Sequence, residues 1–304
     1  MGELAEITIH PEGGNGGEEA IPLFLNRQRA IHGGVAGADA IPTLDRPPDA
    51  DSAAQPSPED GIVYTRTRVT AADKEVLARN RVITAQRSDE VGDAYKILAI
   101  QVLQRLRDRG RNSLAVVSPG DGEGKTLTAV NLAISLAAEV DYTVLLVDAN
   151  LRDPGVHKCF GMTPKAGLAD HLLANTPVED ILVNPGIERL VILPGGRPIR
   201  NSAEMLGSLK MHRLVQDLKT RYATRLIVFD LPPILSGGDA LACVPLVDAA
   251  VMVVEESVTS RDDILRAAQL LNSIELIGTV LNKSARKELP QLGSKPGWLR
   301  RVFG

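Results

Sequence analysis

Ser118-Pro119-Gly120-Asp121-Gly122-Glu123-Gly124-Lys125-Thr126 decides the fold, because it joins an apolar run, Leu114-Ala-Val-Val117, to a helix-like run from Leu127 to Leu136. Glycines let backbone N–H groups turn inward around an anion, and the helix that follows adds the positive end of its dipole. A glycine-rich strand-to-helix turn ending Gly-Lys-Thr is therefore read as a phosphate cradle. Lys125 would reach the β- and γ-phosphates of a nucleotide, and Thr126 would place its hydroxyl on Mg²⁺. The full pattern G-x-x-x-x-G-K-[ST] asks for glycine at position 119, where this chain has Pro119, so the match rests on the Gly-Lys-Thr end. A plain strand-to-helix connection is the alternative, and the strand-loop-helix setting of Gly122, Gly124, Lys125 and Thr126 weighs against it.

Outward from this loop, apolar strand-like runs alternate with amphipathic helical ones, the pattern of a parallel sheet flanked by helices. The candidate strands are 114–117, 144–147, 190–193, 226–229, 250–254 and 276–281, each apolar at nearly every position and so expected to be buried on both faces. Helical spacing runs through Tyr95, Leu98, Val102 and Leu106, and again from Met205 to Leu218. The expected fold is α/β: a doubly wound, mainly parallel sheet of a P-loop NTPase with helices on both faces, spanning residues 85–283.

The flanks differ in character. Residues 1–60 hold 11 Asp/Glu against 3 Arg and no Lys, about −8, in a chain whose net charge is −4. Rich in Gly, Pro and Ala as well, they are expected to form a disordered acidic arm, with 61–84 as an extended linker. The tail, 284–304, is basic and carries Trp298 and Phe303; such a tail suits an anionic lipid surface, a solvated end or a membrane partner equally. No apolar run of eighteen residues and no signal-peptide pattern occurs, which sets the expectation of a cytoplasmic protein. Cys159 and Cys243 fall in no C-x-x-C arrangement and the 5 histidines are scattered, so neither a disulfide nor a zinc site is expected. With no basic cluster of groove size beside the loop, nucleic acid is not expected as a partner.

Two strands end on aspartate. Val144-Leu-Leu-Val-Asp148-Ala-Asn150-Leu-Arg152 puts Asp148, Asn150 and Arg152 just past the carboxyl end of the sheet, where ligands of open α/β sheets bind. Leu226-Ile-Val-Phe-Asp230-Leu-Pro232-Pro233 repeats the pattern as a Walker B element. Asp148 is suited to hold Mg²⁺ or to accept a proton from an attacking hydroxyl, and Asp230 to stand on the magnesium side. A turn-capping role is the alternative for a single such aspartate.

These stretches, with Leu193-Pro-Gly-Gly, Asn201-Ser-Ala-Glu204 and Gly278-Thr-Val-Leu-Asn282-Lys, resemble the cytoplasmic ATPase domain of bacterial tyrosine kinases. That is the CpsD/CapB-like group of the MinD/ParA superfamily, which works with inner-membrane chain-length regulators in capsule and exopolysaccharide export. The resemblance implies an ATP-binding, tyrosine-kinase-like protein with Mg²⁺, cytoplasmic and peripheral at the inner membrane, in contact with such a regulator and able to form a homo-oligomer. It implies Lys125, Asp148 and Asp230 as catalytic residues, with Thr126, Asp148 and Asp230 as the magnesium set. Gly122, Glu123, Gly124, Lys125, Thr126, Leu127 and Arg152 would line the nucleotide site, and Asn282 would read adenine through its amide.

Three departures bear on activity. The family's Asp-x-Asp is Asp148-Ala-Asn150 here, and asparagine cannot serve as a general base. The family's C-terminal tyrosine cluster has no counterpart after Tyr222, leaving Tyr64 as a conceivable acceptor. The family's Glu-x-x-Arg-x-x-Arg helix reads Asp93-x-x-Lys96-x-x-Ala99, which weakens the expectation of a ring of subunits. A positioning ATPase of the MinD/ParA kind would carry a lysine where this chain has Gly120, and a nucleotide-gated adaptor without catalysis remains the other alternative.

Overall fold

The computed structural model describes residues 4–8, 67–83, 90–222 and 224–284. In chain order the elements begin with β1 (Leu4–Thr8), β2 (Arg68–Val69), α1 (Lys74–Arg79) and α2 (Glu90–Asp108). The core alternation follows: β3 (Ser113–Val117), α3 (Lys125–Ala137), β4 (Thr143–Asp148), α4 (Val156–Cys159), α5 (Leu168–Ala174), α6 (Val178–Ile181), β5 (Val183–Asn184) and β6 (Leu190–Leu193). Then come α7 (Ser202–Leu206), α8 (Leu209–Thr220), β7 (Arg225–Asp230), α9 (Asp239–Cys243), β8 (Ala249–Glu255), α10 (Arg261–Leu270) and β9 (Glu275–Ser284).

The sheet runs β1-β9-β8-β3-β7-β4-β6-β5-β2. From β9 through to β6 every pairing is parallel, while β5 lies antiparallel to β6 and β1 antiparallel to β9. All six strands expected from the sequence are present. Their apolar residues alternate between two cores, as the two-residue period of a strand requires. Leu114, Val116, Val144, Leu146, Leu226 and Val228 enter one core with α2 and α3. Ala115, Val117, Leu145, Val147, Ile227 and Phe229 enter the other, against α5, α8 and α9. Burial on both faces thus explains why these strands read as unbroken apolar runs.

Three expectations change. The linker expected over 61–84 is structured from residue 67: Asp73 caps α1 by accepting from the Glu75 N–H, and Leu77 and Val82 are buried in the first core. The single helix expected from Met205 to Leu218 is two helices, because the Gly207-Ser208 step breaks it and the Ser208 side chain accepts from the Met211 N–H to start α8. Within the expected disordered arm, Leu4–Thr8 pair with β9, which would otherwise be a bare sheet edge. The rest of 1–60, and the basic tail from 285, lie outside the described residues.

The connections place the site. From β3 the chain crosses to β4 and β6, returns to β7 between β3 and β4, and then crosses to β8 on the other side of β3. The turn leaving β3 therefore lies where the winding reverses, the crevice in which open α/β sheets take ligands.

Candidate nucleotide and magnesium site

The loop after β3 enters α3 through Gly122 and Gly124, at φ +81° and +91°, a region glycine reaches without the steric cost an L side chain meets. A Cβ on Gly124 would also stand 2.0 Å from the Asn282 Nδ2 atom. No side chain caps α3 and no acidic residue lies in its first turn, so the helix presents its positive end uncompensated. Lys125 opens the helix and is only 7% exposed. A buried cation beside an uncapped helix start is a site for anionic phosphate.

The loop is held from outside. The Glu123 carboxylate accepts from the Gly120 N–H at 3.0 Å and from the Thr259 hydroxyl at 2.5 Å. The Asn282 amide donates to the Glu123 carbonyl at 2.8 Å. Asn282, at the end of β9, thus touches the loop itself, and Leu127, in the first turn of α3, packs at the margin of the first core.

In the β4–β7 pairing Asp148 stands opposite Asp230, so two parallel strands deliver two carboxylates side by side. Both residues are fully buried. The Thr126 hydroxyl donates to Asp230 Oδ2 at 2.8 Å, and Asp148 Oδ2 accepts from the Gly155 and Val156 N–H groups at 3.0 Å each. The second oxygen of each, Asp148 Oδ1 and Asp230 Oδ1, is buried without a hydrogen-bond partner. Burial, and then the Asp230 charge beside it, push the Asp148 carboxyl up to about 8. Burial pushes Asp230 up to about 6, against the opposite pull of Lys125 and of the Thr126 hydroxyl. Two orphaned carboxylate oxygens and a hydroxyl fit a hard divalent cation, which takes oxygen ligands. Among the described residues no cluster of three or more His, Cys, Asp or Glu forms, so the rest of such a cation's ligands would have to come from phosphate and water.

The Leu193-Pro-Gly-Gly stretch gains a reason here. A Cβ on Gly195 would lie 2.8 Å from Pro154 Cβ and 3.2 Å from Asp148 Cγ, so the exit of β6 closes on the back of Asp148 only because that position is glycine. Asn150 is buried beside Asp148 in the loop that leaves β4. Arg152 pairs with Asp239 at 2.8 Å. Pro232 and Pro233 are buried in the exit loop of β7, and Ile234 and Leu235 of that loop donate to the Ser118 and Pro119 carbonyls.

Sequence reasoning missed Asp239, Ser202 and Thr259, which reach the site from separate elements. Ser202 lies in the Asn201-Ser-Ala-Glu204 stretch that carries the resemblance, though no role was read for it, and near Thr259 the Ser260-x-x-Asp263 pattern marks the start of α10, where the Ser260 hydroxyl accepts from the Asp263 N–H. The helix motif resolves plainly. Lys96 pairs with Asp93 at 3.1 Å on the exposed face of α2, and Ala99, where the family has its second arginine, is buried in the core. Tyr95 is buried too, with its hydroxyl 3.5 Å from Thr128 Oγ1. Tyr142 and Tyr222 precede β4 and β7, at the amino-terminal edge of the sheet, opposite the nucleotide edge; Tyr64 lies outside the described residues.

No protein-family model matches the chain. It is 28% identical over 230 residues to the tyrosine-protein kinase YwqD of Bacillus subtilis (strain 168), covering 74% of this chain and 96% of that one. It is 31% identical over 214 residues to the succinoglycan biosynthesis transport protein ExoP of Rhizobium meliloti (strain 1021), covering 68% of this chain and 27% of that longer one. The crystal structure of the VpsO kinase domain superposes with a TM-score of 0.56 at 28% identity, over 64% of this chain and 95% of that one.

Proposed function

We propose that this chain, a relative of the bacterial tyrosine-protein kinases, binds ATP with Mg²⁺ and transfers the γ-phosphate to tyrosine, in the control of capsule or exopolysaccharide polymerisation or export. The observation that carries the reading is the register that sets Asp148 against Asp230, each with an orphaned buried oxygen, beside the uncapped start of α3 and Lys125. Lys125 and the first turn of α3 hold the β- and γ-phosphates. Thr126 and Asp230 would hold the magnesium ion, whose chemistry when bound is to neutralise charge on the phosphates. Asp148, in its ionised form, accepts the proton of the attacking hydroxyl as the new P–O bond forms and the bond to the ADP oxygen breaks.

Buried Tyr95 is excluded as acceptor by its position. Among the described residues no helix is long and apolar enough to cross a membrane. In ExoP the matching stretch is 27% of a longer chain. The match to part of ExoP, a transport protein of succinoglycan biosynthesis, supports action together with a membrane protein of the chain-length-regulator kind.

Incubation with labelled ATP and Mg²⁺ is expected to label tyrosine, and Lys125→Met to abolish both labelling and nucleotide binding. ATP consumption without phosphotyrosine would sink the kinase reading. Asn150 favours a second one, a nucleotide-gated adaptor that does no phosphotransfer. The change Asn150→Asp separates them: a kinase gains labelling rate, whereas an adaptor gains nothing and loses partner capture only when Lys125 is replaced.

A further inference from the structure

Arg152 leaves the end of β4 with its side chain 55% exposed, yet it is gripped from beneath by two buried residues of different helices. Asp239, the first residue of α9, places Oδ2 2.8 Å from the Arg152 Nη2 atom, and its own side chain is 4% exposed. Ser202, the first residue of α7, accepts from the Arg152 Nε–H at 3.2 Å and donates its hydroxyl to the other oxygen of Asp239. The exit loop of β7 runs from the cradle to this group. Its Ile234 and Leu235 N–H groups bind the Ser118 and Pro119 carbonyls at 2.9 and 3.2 Å. Farther along the same loop, a Cβ on Gly237 would stand 3.3 Å from Asp239 Oδ2 and 3.7 Å from Arg152 Nη2.

We propose that Asp239 is a positioning residue: with Ser202 it fixes Arg152 as a preorganised cation for the phosphate undergoing transfer, so that the arginine serves turnover rather than nucleotide capture. The proposal rests on the ATP-dependent activity proposed above. Two of the guanidinium's five N–H donors are held by Ser202 and Asp239, which leaves the outer edge of the fork for phosphate oxygens. A cation already locked in place stabilises charge that develops in the transition state without reorganising. Arg152 does not swing away to reach its ligand, because that would leave the Asp239 carboxylate buried without a counter-ion. The phosphate has to come to the arginine.

The test uses the full chain, with ATP turnover, nucleotide affinity and thermal stability measured together. Asp239→Asn is expected to lower kcat by about tenfold or more while the ATP KM and Kd stay within about twofold. Ser202→Ala should show a smaller loss of the same kind, and it carries the test if Asp239→Asn does not fold. Guanidinium at millimolar concentration should restore part of the turnover of Arg152→Ala, and should fail to do so in Arg152→Ala/Asp239→Asn. Equal rescue in both backgrounds, or a fall in affinity that matches the fall in kcat, overturns the proposal. If the wild type consumes ATP without labelling tyrosine, the kinase reading fails and this test still reads on hydrolysis. If it binds ATP and turns none over, the positioning role fails with it.

Discussion

Asp148 and Asp230 each keep one carboxylate oxygen out of water with no donor to meet it, and that decides how the nucleotide-free protein answers to pH. Both carboxyls start from an ordinary carboxylate value of 3.8 and are raised in the fold, to about 8 and about 6. Below about pH 4 they are protonated in both states and cost nothing. Between pH 4 and 8 the unfolded chain gives up these protons while the folded one retains them, so stability falls as pH rises through that window. Asp248, lowered by its bonds to Lys219 and Ser113 despite burial, acts only below the ordinary carboxylate value of 3.8, outside the window. The expected outcome is a Tm that drops between pH 5 and 8, by about 2–4 °C per kcal/mol lost. Asp148→Asn/Asp230→Asn should flatten the profile, and so should saturating magnesium nucleotide; a wild-type Tm that climbs over this range would contradict the assignment. These two residues were legible in the sequence because each closes an apolar run, and parallel strands end at the same edge. Asp239 and Ser202 were not, since each opens a short helix and only the path of the connecting loops brings them to Arg152.

Among the elements, the junction between the glycine loop and β9 is the tightest. Gly124→Ala meets two separate penalties, a positive φ and a Cβ 2.0 Å from the Asn282 amide. A loss of about 1–3 kcal/mol is expected from the backbone alone. Adding Asn282→Ala should relieve the clash and leave the φ penalty, so denaturant unfolding of the double variant should show a loss smaller than the sum of the singles. At α8 the Ser208 cap predicts a separate effect, about 1 kcal/mol for Ser208→Ala, without change in nucleotide affinity. That cap was hidden from sequence reading because helical spacing continues unbroken across Gly207-Ser208. The helix at Lys74–Arg79 was hidden for a different reason: six residues are too few to show a period, and what orders them is the burial of Leu77 against the core. The six strands were legible because burial, on both faces for the central ones, leaves them apolar at nearly every position.

At the scale of the molecule, one sheet separates two cores, and the strands serve both at once. Leu146 faces the α3 side and Leu145 the α8 side, each fully buried. Leu146→Ala or Leu145→Ala is expected to cost about 2–5 kcal/mol, and, because β4 ends on Asp148, to weaken nucleotide binding as well as lower Tm. Saturating ligand acts in the opposite direction: at a hundred times its Kd, nucleotide should add about 2.7 kcal/mol, seen as a rise in Tm with concentration. The same sheet also separates its two ends. Tyr142 and Tyr222 lie at the amino-terminal edge and the phosphate cradle at the carboxyl edge, with the 6 residues of β7 between them. At ~3.3 Å per residue such a strand is roughly 17 Å long, far beyond the ~3 Å of a reacting pair. Phosphate that reaches either tyrosine has therefore crossed from another molecule, so below the concentration at which the chain self-associates its formation is second order: per molecule, the initial rate rises in proportion to protein concentration and vanishes on dilution.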